Sequence, residues 1–250
     1  QIINIFNIAF FKYYYLFFDF LGRIFSAPAF LEGSLREDHR SAGMEIFLPL
    51  AISFYTFQVM GYGIDLYRGT YTRKHSFLDV LLFLMFFPQL IAGPIMRSSD
   101  LLPQLTQTEK IGWQNAAFKR GLWLILAGIF KKLLIADQLL AEAAPVLGAS
   151  PAALPEFATW TLWSAILSAM LMLYADFSAY SDIACGTAAM LGFKLPVNFK
   201  APFFLVSFSD FWRRWHLTFS YWIRDYIYIP LGGSRAGEWR NYFNLVVTFF

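Results

Sequence analysis

The sequence predicts an all-α, multi-pass integral membrane protein with broken or re-entrant helices. Of its 250 residues, 58% are hydrophobic and 20% are aromatic, whereas only 15% are charged. Soluble domains usually contain about 45–50% apolar and about 25% charged residues. Several apolar segments approach the length of about 20 residues that crosses a bilayer, and polar loops separate them. The composition therefore excludes an ordinary soluble domain.

Charge and cysteine content narrow the kinds of partner and site. The net charge of +3 is modest, and the basic residues are scattered through loops beside apolar segments. This distribution gives no support to nucleic-acid binding and favours anionic lipid or an anionic carrier. The single cysteine, Cys185, excludes an intramolecular disulfide framework and a cysteine metal cluster.

The first hundred residues predict two spanning helices and one broken helix. The two spans are residues 2–25 and 44–67, each of them long and apolar. The third apolar stretch, 77–96, contains Pro88, Gly93 and Pro94 near its end. Because these residues interrupt helices, we expect a broken or re-entrant element that is buried against protein.

The middle of the chain predicts a loop, an interfacial helix and an outer loop. Residues 97–114 read as a loop. The segment 116–140 is apolar but is divided by Lys131 and Lys132, and the ten residues that separate Gly121 from Lys131 cover only about 15 Å. We therefore expect it to lie partly in the membrane interface. Residues 141–158 contain acidic side chains but no Lys or Arg, which predicts a loop on the outer side.

The next segment enters the membrane at 160–174 and continues into a run of small residues that suits close helix packing. Asp176 and Tyr180 are four residues apart, as are Ser178 and Asp182. This spacing predicts that each carboxylate has a hydrogen-bonding neighbour one turn away. We interpret Asp182 as a structural anchor and leave the role of Asp176 open.

The most informative stretch is 198–235, in which an aromatic segment carries several cations. Projected as one continuous helix, it separates an aromatic face from a polar face. Ionisable groups in apolar surroundings are costly and tend to line a cavity or a pathway. We therefore predict a functional role for the polar face, which comprises Ser209, Arg213, His216, Ser220 and Arg224.

Other catalytic patterns are missing from the sequence. It contains no G-x-S-x-G elbow, P-loop, H-E-x-x-H or complete G-x-G-x-x-G. This excludes the common hydrolase, ATPase and metalloprotease signatures. Its three histidines are far apart in the sequence, so no metal site is expected.

Four segments carry a family resemblance. They are FFPQLIAGPIMR, LYADFSAYSDIACGTAAMLGF, NFKAPF and DFWRRWHLTFSYWIRDYIYIPLGGSR. In their order and spacing, over about residues 47–240, they resemble the membrane-bound O-acyltransferase family. Within it, the pattern is similar to the bacterial branch that acylates cell-envelope polymers, including alginate O-acetyltransferases and the D-alanyl-transferring protein of teichoic acid synthesis. The W-R-R-W-H and L-G-G-S-R runs are closer to the alginate type.

The resemblance implies an enzyme of the cytoplasmic (inner) membrane. Its multi-helix fold would form a tunnel from a cytoplasmic thioester donor to hydroxyls of an exported polysaccharide. The donor, acetyl-CoA or a phosphopantetheine carrier, would be a substrate, with no bound cofactor. Periplasmic acyltransferase proteins of a polysaccharide-modification complex would be partners. We expect residues 1–250 to form a single acyltransferase domain truncated at both ends, because the chain starts and stops within apolar runs.

The resemblance also assigns roles to residues. His216 matches the histidine of the family's R-W-H motif and is expected to be catalytic, since a pKa of about 6.5 suits a base. The family's second histidine would follow Phe250, so we expect this piece to be inactive alone. Arginine suits bidentate phosphate contacts. The expected donor-binding residues are Arg213, Arg224, Ser209 and Ser220, and those in supporting roles are Asp176, Tyr180 and Arg214.

Two other functions stay open at the level of sequence. A membrane transporter or flippase would also place broken helices and buried charge along a substrate path. A non-catalytic scaffold of an envelope-polymer synthesis complex is the third reading. Covalent transfer of an acyl group to an acceptor distinguishes the enzyme from both.

Overall fold

The computed structural model describes residues 51–72, 75–105, 115–235 and 237–249, together with isolated positions between residues 10 and 25. The elements in this part of the chain are helices joined by turns and extended segments. The chain divides into two compact units, Gln1–Thr72 and Arg73–Phe250. Most of the predicted span 2–25, and residues 44–50 of the second, lie outside the described residues.

The first unit contains helix α1, Ile52–Arg68. It ends at Gly69, which adopts a left-handed φ of 69° and donates its N–H to the Leu66 carbonyl at 3.2 Å. Glycine adopts this conformation without steric cost, which is why it commonly terminates helices. The helix predicted within residues 44–67 is thus confirmed over its described part, and it extends one residue further.

The second unit begins with α2, Phe77–Leu84, which starts at a capping box between Ser76 and Asp79. A single 3₁₀ turn, Phe87–Gln89, follows, and the chain then runs without a helix to Arg97. The predicted break is therefore confirmed. At Gly93 an added Cβ would lie 2.4 Å from the Gln89 Cα, so only glycine allows the backbone to turn this tightly.

The loop predicted over residues 97–114 is wrong in its first part, because α3 occupies Ser98–Leu105. Its Leu101 and Leu102 are completely buried, and this burial outweighs the cost of Pro103 inside the helix. The helix also fixes a distant segment. The Gln104 amide accepts the Lys194 N–H at 2.8 Å and donates to the Lys194 carbonyl at 3.1 Å.

A long helical rod follows in three parts: α4, Ala116–Phe130, a π-helical turn, Lys131–Ala136, and α5, Asp137–Leu147. The sequence predicts a helix that ends at Leu140 and a loop from there to residue 158. The helix instead continues to Leu147, because Ala-Glu-Ala-Ala at 141–144 has high helix propensity. The expected division at Lys131 and Lys132 appears as a widened turn rather than an end.

Helix α6, Thr159–Met190, contains 32 residues, so the predicted continuation of the 160–174 segment into the small-residue run is confirmed as one helix. Within the described part of the chain, α6 is the helix that is both long and apolar enough to cross a membrane. It packs closely against α4 through Gly121 and Gly186. A Cβ added at either glycine would lie 2.5–2.6 Å from the other's carbonyl oxygen. The multi-pass arrangement stays a prediction.

The remaining helices are α7, Phe208–Trp212, α8, Leu217–Ile223, which continues into a π-helical turn, Arg224–Tyr228, and α9, Glu238–Phe249. The single helix projected through Ser209 and Arg224 is therefore wrong. It is interrupted at residues 213–216, and the two-faced arrangement predicted from it does not form.

The interruption has a tertiary cause. His216 adopts a left-handed φ of 41°, which is uncommon for a residue other than glycine. The Arg214 carbonyl accepts the Lys200 N–H at 2.9 Å, and the Leu217 N–H donates to the Asn198 carbonyl at 2.9 Å. Hydrogen bonds to the extended segment before α7 thus replace bonds that a continuous helix would make within itself.

Candidate active site

The site centres on Asn198, whose side chain joins three parts of the fold. Only 1% of Asn198 is exposed. Its Oδ1 accepts the Thr218 hydroxyl at 2.7 Å and the Thr218 N–H at 3.4 Å, while its Nδ2 donates to Ser181 Oγ at 3.3 Å. Thr218 Oγ1 in turn accepts the Ile95 N–H at 2.9 Å. Asn198 therefore ties α6 and α8 together and is linked through Thr218 to the segment after the 3₁₀ turn.

His216 lies at the edge of this cluster. Its Nδ1 is 3.4 Å from Asn198 Oδ1. The ring meets Phe177 edge-on at 4.8 Å and stacks on Phe219 at 5.2 Å. Burial lowers the pKa of the His216 imidazole well below its usual value. The ring is consequently neutral at physiological pH and carries a lone pair that can accept a proton.

A cavity of about 660 Å³ borders the cluster, a size typical of small-molecule sites. It lies between α4, α6 and the extended segment 192–199. Ser181 and Asn198 form part of its wall, together with Tyr174, Ser178 and Phe199. His216 is not among the described residues that line it, but its ring contacts Asn198, which does.

The cavity wall is cationic. Arg120, Lys131 and Lys194 line it, whereas Asp182 contributes the carboxylate among the lining residues. Lys131 Nζ donates to Asp182 at 2.6 Å, so this pair is neutral overall. Within the described chain, neither Arg120 nor Lys194 pairs with a carboxylate. The wall therefore presents net positive charge, which suits an anionic ligand.

The π-helical turn explains why two adjacent lysines both face α6. Lys131 pairs with Asp182, and Lys132 binds Asp176 at 2.7 Å and Asp137 at 2.8 Å. The widened turn holds one extra residue, so neighbouring side chains reach carboxylates six residues apart. The prediction that Asp176 and Asp182 bond to neighbours one turn away is therefore wrong, because their partners lie on another helix. The lysine partner is consistent with an anchoring role for Asp182.

The hydroxyls expected to serve those carboxylates have other partners. Ser178 donates to the Ala175 carbonyl at 3.3 Å. The Tyr180 hydroxyl accepts the Ile91 N–H at 3.3 Å and so fixes the chain just after the 3₁₀ turn. Tyr180 is thus placed to support the broken segment, while Asp176 holds the π-helical turn through Lys132.

The predicted cationic residues do not share one face, and none of them is among the described residues that line the cavity. Arg213 is exposed and has no carboxylate partner in the described part of the chain. Arg214 pairs with Asp210 at 3.0 Å. Arg224 binds Asp225 at 2.6 Å, and Arg97 binds the same carboxylate. Arg213 therefore offers the least compensated charge of the predicted set.

The two predicted serines also differ from each other. Ser209 is exposed in the first turn of α7. Ser220 is half-buried, and its hydroxyl donates to the Trp215 carbonyl at 3.2 Å. Sequence reasoning missed the residues that connect His216 to the cavity. The available signal was the polar residue Asn198 at the start of the NFKAPF run. Its side-chain partners Ser181 and Thr218, however, are 17 and 20 residues away along the chain.

Among the residues that the structure describes, no three His, Cys, Asp or Glu side chains are grouped so that they could hold an ion. The site instead offers a neutral imidazole, a hydrogen-bonded amide that borders a cavity, and cations on the cavity wall.

Sequence comparisons relate the chain to a family and to known proteins. The model of the membrane-bound O-acyltransferase family matches residues 72–250. The chain is 40% identical over 222 residues to the probable alginate O-acetylase AlgI of Pseudomonas aeruginosa, covering 86% of the chain and 41% of that protein. It is 37% identical over 232 residues to the peptidoglycan O-acetyltransferase of Helicobacter pylori, covering 82% and 43%.

A more distant relative is the teichoic acid D-alanyltransferase of Streptococcus thermophilus. It is 29% identical over 190 residues, covering 73% of the chain and 44% of that protein. The chain thus spans about two fifths of the length of the curated relatives that it matches.

Proposed function

Because the chain belongs to the membrane-bound O-acyltransferase family, as its motifs predict, we propose that the protein carrying it transfers an acyl group to hydroxyls of an exported cell-envelope polysaccharide. The acyl group is acetyl, and the donor is a cytoplasmic thioester. The observation that carries the proposal is the contact of His216 with Asn198, a residue of the cationic cavity wall. This contact supports a base that acts close to a space suited to an anionic donor.

The chemistry requires one proton transfer at the acceptor. As the hydroxyl oxygen bonds to the thioester carbonyl carbon, the hydroxyl proton must leave, and the carbon–sulfur bond then breaks to release the thiol. His216 accepts that proton in its neutral form and returns it to the thiolate. A positioned base contributes about 10²- to 10⁴-fold to such a step.

The cavity supplies the donor side. Coenzyme A and phosphopantetheine carry phosphates, and Arg120 and Lys194 line the cavity without carboxylate partners in the described chain. Arg213, which is exposed and similarly uncompensated, is proposed to contact the donor at the site's edge. Arg224 shares the Asp225 carboxylate with Arg97. It is also proposed to contact the donor, but its charge is more compensated than that of Arg213. Ser209 and Ser220 are proposed as neutral contacts.

The wider setting follows from the same family membership. We propose that the whole protein is a multi-pass protein of the cytoplasmic membrane and that periplasmic acyltransferase partners complete transfer to the polymer. The acceptor is proposed to be alginate-like, since the probable alginate O-acetylase named above is 40% identical to the chain. The peptidoglycan enzyme of Helicobacter pylori modifies a different polysaccharide, and its 37% identity makes peptidoglycan the second acceptor to test.

The test uses the whole protein in proteoliposomes with acetyl-CoA labelled in the acetyl group. Alginate or peptidoglycan fragments are supplied on the opposite side, together with candidate periplasmic acyltransferase partners. The expected result is label in an ester that alkali releases. His216→Ala should lower this transfer by about 10²-fold or more. His75→Ala, which alters a histidine remote from the site in sequence, should transfer at the parental rate.

Each other outcome contradicts the proposal in a different way. If unmodified acetyl-CoA or polymer crosses the vesicle membrane and no ester forms, the protein is a transporter. Polymer binding with neither transfer nor transport would indicate a scaffold. Full transfer by His216→Ala would remove His216 from the mechanism while leaving the enzyme class intact.

A further inference from the structure

The orientation of the Asn198 amide is determined by its neighbours. The oxygen and nitrogen of an amide look alike, so their assignment must come from hydrogen bonding. The Thr218 backbone N–H points at one of these two atoms at 3.4 Å. A backbone N–H can only donate, so the atom facing it is the oxygen.

The Thr218 hydroxyl supports the same orientation. It already accepts the Ile95 N–H at 2.9 Å, and its own hydrogen is directed to Asn198 Oδ1 at 2.7 Å. The Asn198 NH₂ group then faces Ser181 Oγ, a hydroxyl that is able to accept. Each atom of the amide thus has a partner of the correct type.

This orientation selects a tautomer of His216. Nδ1 lies 3.4 Å from Asn198 Oδ1, which accepts both the N–H and the hydroxyl of Thr218. Two lone pairs facing each other would repel, so Nδ1 carries the hydrogen. A neutral imidazole has a single N–H, and the free lone pair is therefore on Nε2.

Asn198 also positions the backbone beneath the ring. Its carbonyl accepts the N–H of Leu217, the residue that follows His216, at 2.9 Å. This bond holds His216 in its left-handed conformation at the start of α8. Phe177 and Phe219 then confine the ring. One residue thus controls both where the imidazole stands and which nitrogen can act as the base.

We propose that Asn198 is a positioning residue that holds His216 as the Nδ1–H tautomer and so makes Nε2 the proton acceptor. The inference rests on the proposed acyl transfer for its functional consequence, and on the hydrogen-bond network alone for the tautomer. The acceptor oxygen is the essential group. A side chain of similar size without that oxygen should orient His216 poorly even when it packs well.

The activity test compares Asn198→Asp, which keeps an acceptor oxygen, with Asn198→Leu, which has similar volume but no acceptor. In the whole protein, Asn198→Leu should lower kcat by about 10²-fold while the KM for acetyl-CoA changes by less than about 3-fold, since the lost group acts on the base and not on donor binding. Asn198→Asp should stay within about 10-fold of the parent.

Asn244→Leu is the matched control, because Asn244 is also 1% exposed and its NH₂ group bonds to the Gly233 carbonyl at 3.0 Å. Its kcat should stay close to that of the parent. The proposal is overturned if Asn198→Leu transfers as well as Asn244→Leu does, or if Asn198→Asp is as inactive as Asn198→Leu.

An independent readout does not require activity. Nitrogen-15 NMR of protein labelled in its histidine rings distinguishes the two neutral tautomers, and His216→Gln identifies the signal. We expect the hydrogen to be on Nδ1 in the parent and to be lost from Nδ1 in Asn198→Leu. Hydrogen on Nε2 in the parent overturns the proposal. If no variant transfers acetyl groups but Nδ1 carries the hydrogen, the proposed function fails and the tautomer assignment stands.

Discussion

Gly186→Ala should separate the two helices that form the cavity. An added Cβ at Gly186 would lie 2.5 Å from the Gly121 carbonyl oxygen and 2.8 Å from Ile125 Cγ1. The first of these atoms belongs to the backbone of α4, which cannot rotate away as a side chain could. Relief therefore requires a movement of α4 relative to α6.

The size of that movement gives the expected cost. A carbon–oxygen contact of this kind normally measures about 3.3–3.6 Å, so the helices must separate locally by roughly 0.8–1.1 Å. A gap of this size forfeits about a quarter to a half of each dispersion contact, and overpacking costs about 1–3 kcal/mol. Alanine recovers up to about 1 kcal/mol of helix propensity. If overpacking costs the upper end of its range, the net loss of stability is about 2 kcal/mol. This corresponds to about 4–8 °C in Tm for a domain of this size.

Thermal unfolding of the purified protein in detergent measures this effect. Ala127→Ser is the matched control, because it adds one heavy atom at an exposed position of α4, and its Tm should stay within about 1 °C of the parent. Gly121→Ala meets the same interface from the other side, at 2.6 Å from the Gly186 carbonyl. Since the first substitution already separates the helices, the double variant should lose less than the sum of the single losses.

A Tm of Gly186→Ala at or above the parental value would refute the reasoning, because helix propensity would then outweigh the contact. Strict additivity of Gly186→Ala and Gly121→Ala would equally contradict it, since two independent sites do not share one interface. Either result would mean that α4 and α6 are less closely packed than the glycine distances indicate.

Two further predictions concern the charges on the cavity wall. Lys131→Met should lower Tm by about 2–4 °C, because it leaves the half-buried Asp182 carboxylate without its ammonium partner, a loss of about 1 kcal/mol. The double variant Lys131→Met, Asp182→Asn should recover most of that loss. No recovery would show that the pair does not act through its charge. Arg120→Ala should raise the KM for acetyl-CoA about 10-fold with little change in kcat, because it removes one charge-assisted contact of about 1.5 kcal/mol. Lys119 lies outside the cavity lining, so Lys119→Ala should leave KM unchanged. Equal effects of the two substitutions would indicate general electrostatic attraction.

Local sequence was sufficient to predict features that depend on local chemistry. The break after α2 follows from Pro88, Gly93 and Pro94, since the geometry of each residue restricts its own backbone. The close packing of α6 follows from its small side chains, whatever their partner. The family followed from motifs that are continuous in the chain, and the family match over residues 72–250 confirmed it.

The ion pairs between the helical rod and α6 could not be predicted from local sequence. Spacing along α6 favours partners within α6, but a π-helical turn on the neighbouring rod changes which side chains face it. Lys131 and Lys132 reach Asp182 and Asp176 only because that turn holds an extra residue. Nothing in the sequence Lys-Lys-Leu-Leu-Ile-Ala requires a π-helix, because the widened turn is stabilised by tertiary contacts.

The interruption at His216 shows the same limit at the centre of the site. A continuous helix satisfies every periodicity between Phe208 and Tyr226, so pattern alone favours it. The helix nevertheless stops, because the carbonyl of Asn198 and the N–H of Lys200 compete for the backbone groups on either side of residues 215 and 216. A regular helix would turn His216 according to its place in the repeat. The interruption instead orients it according to Asn198, so the same departure from periodicity that defeats the sequence prediction places the His216 ring against a residue of the cavity wall.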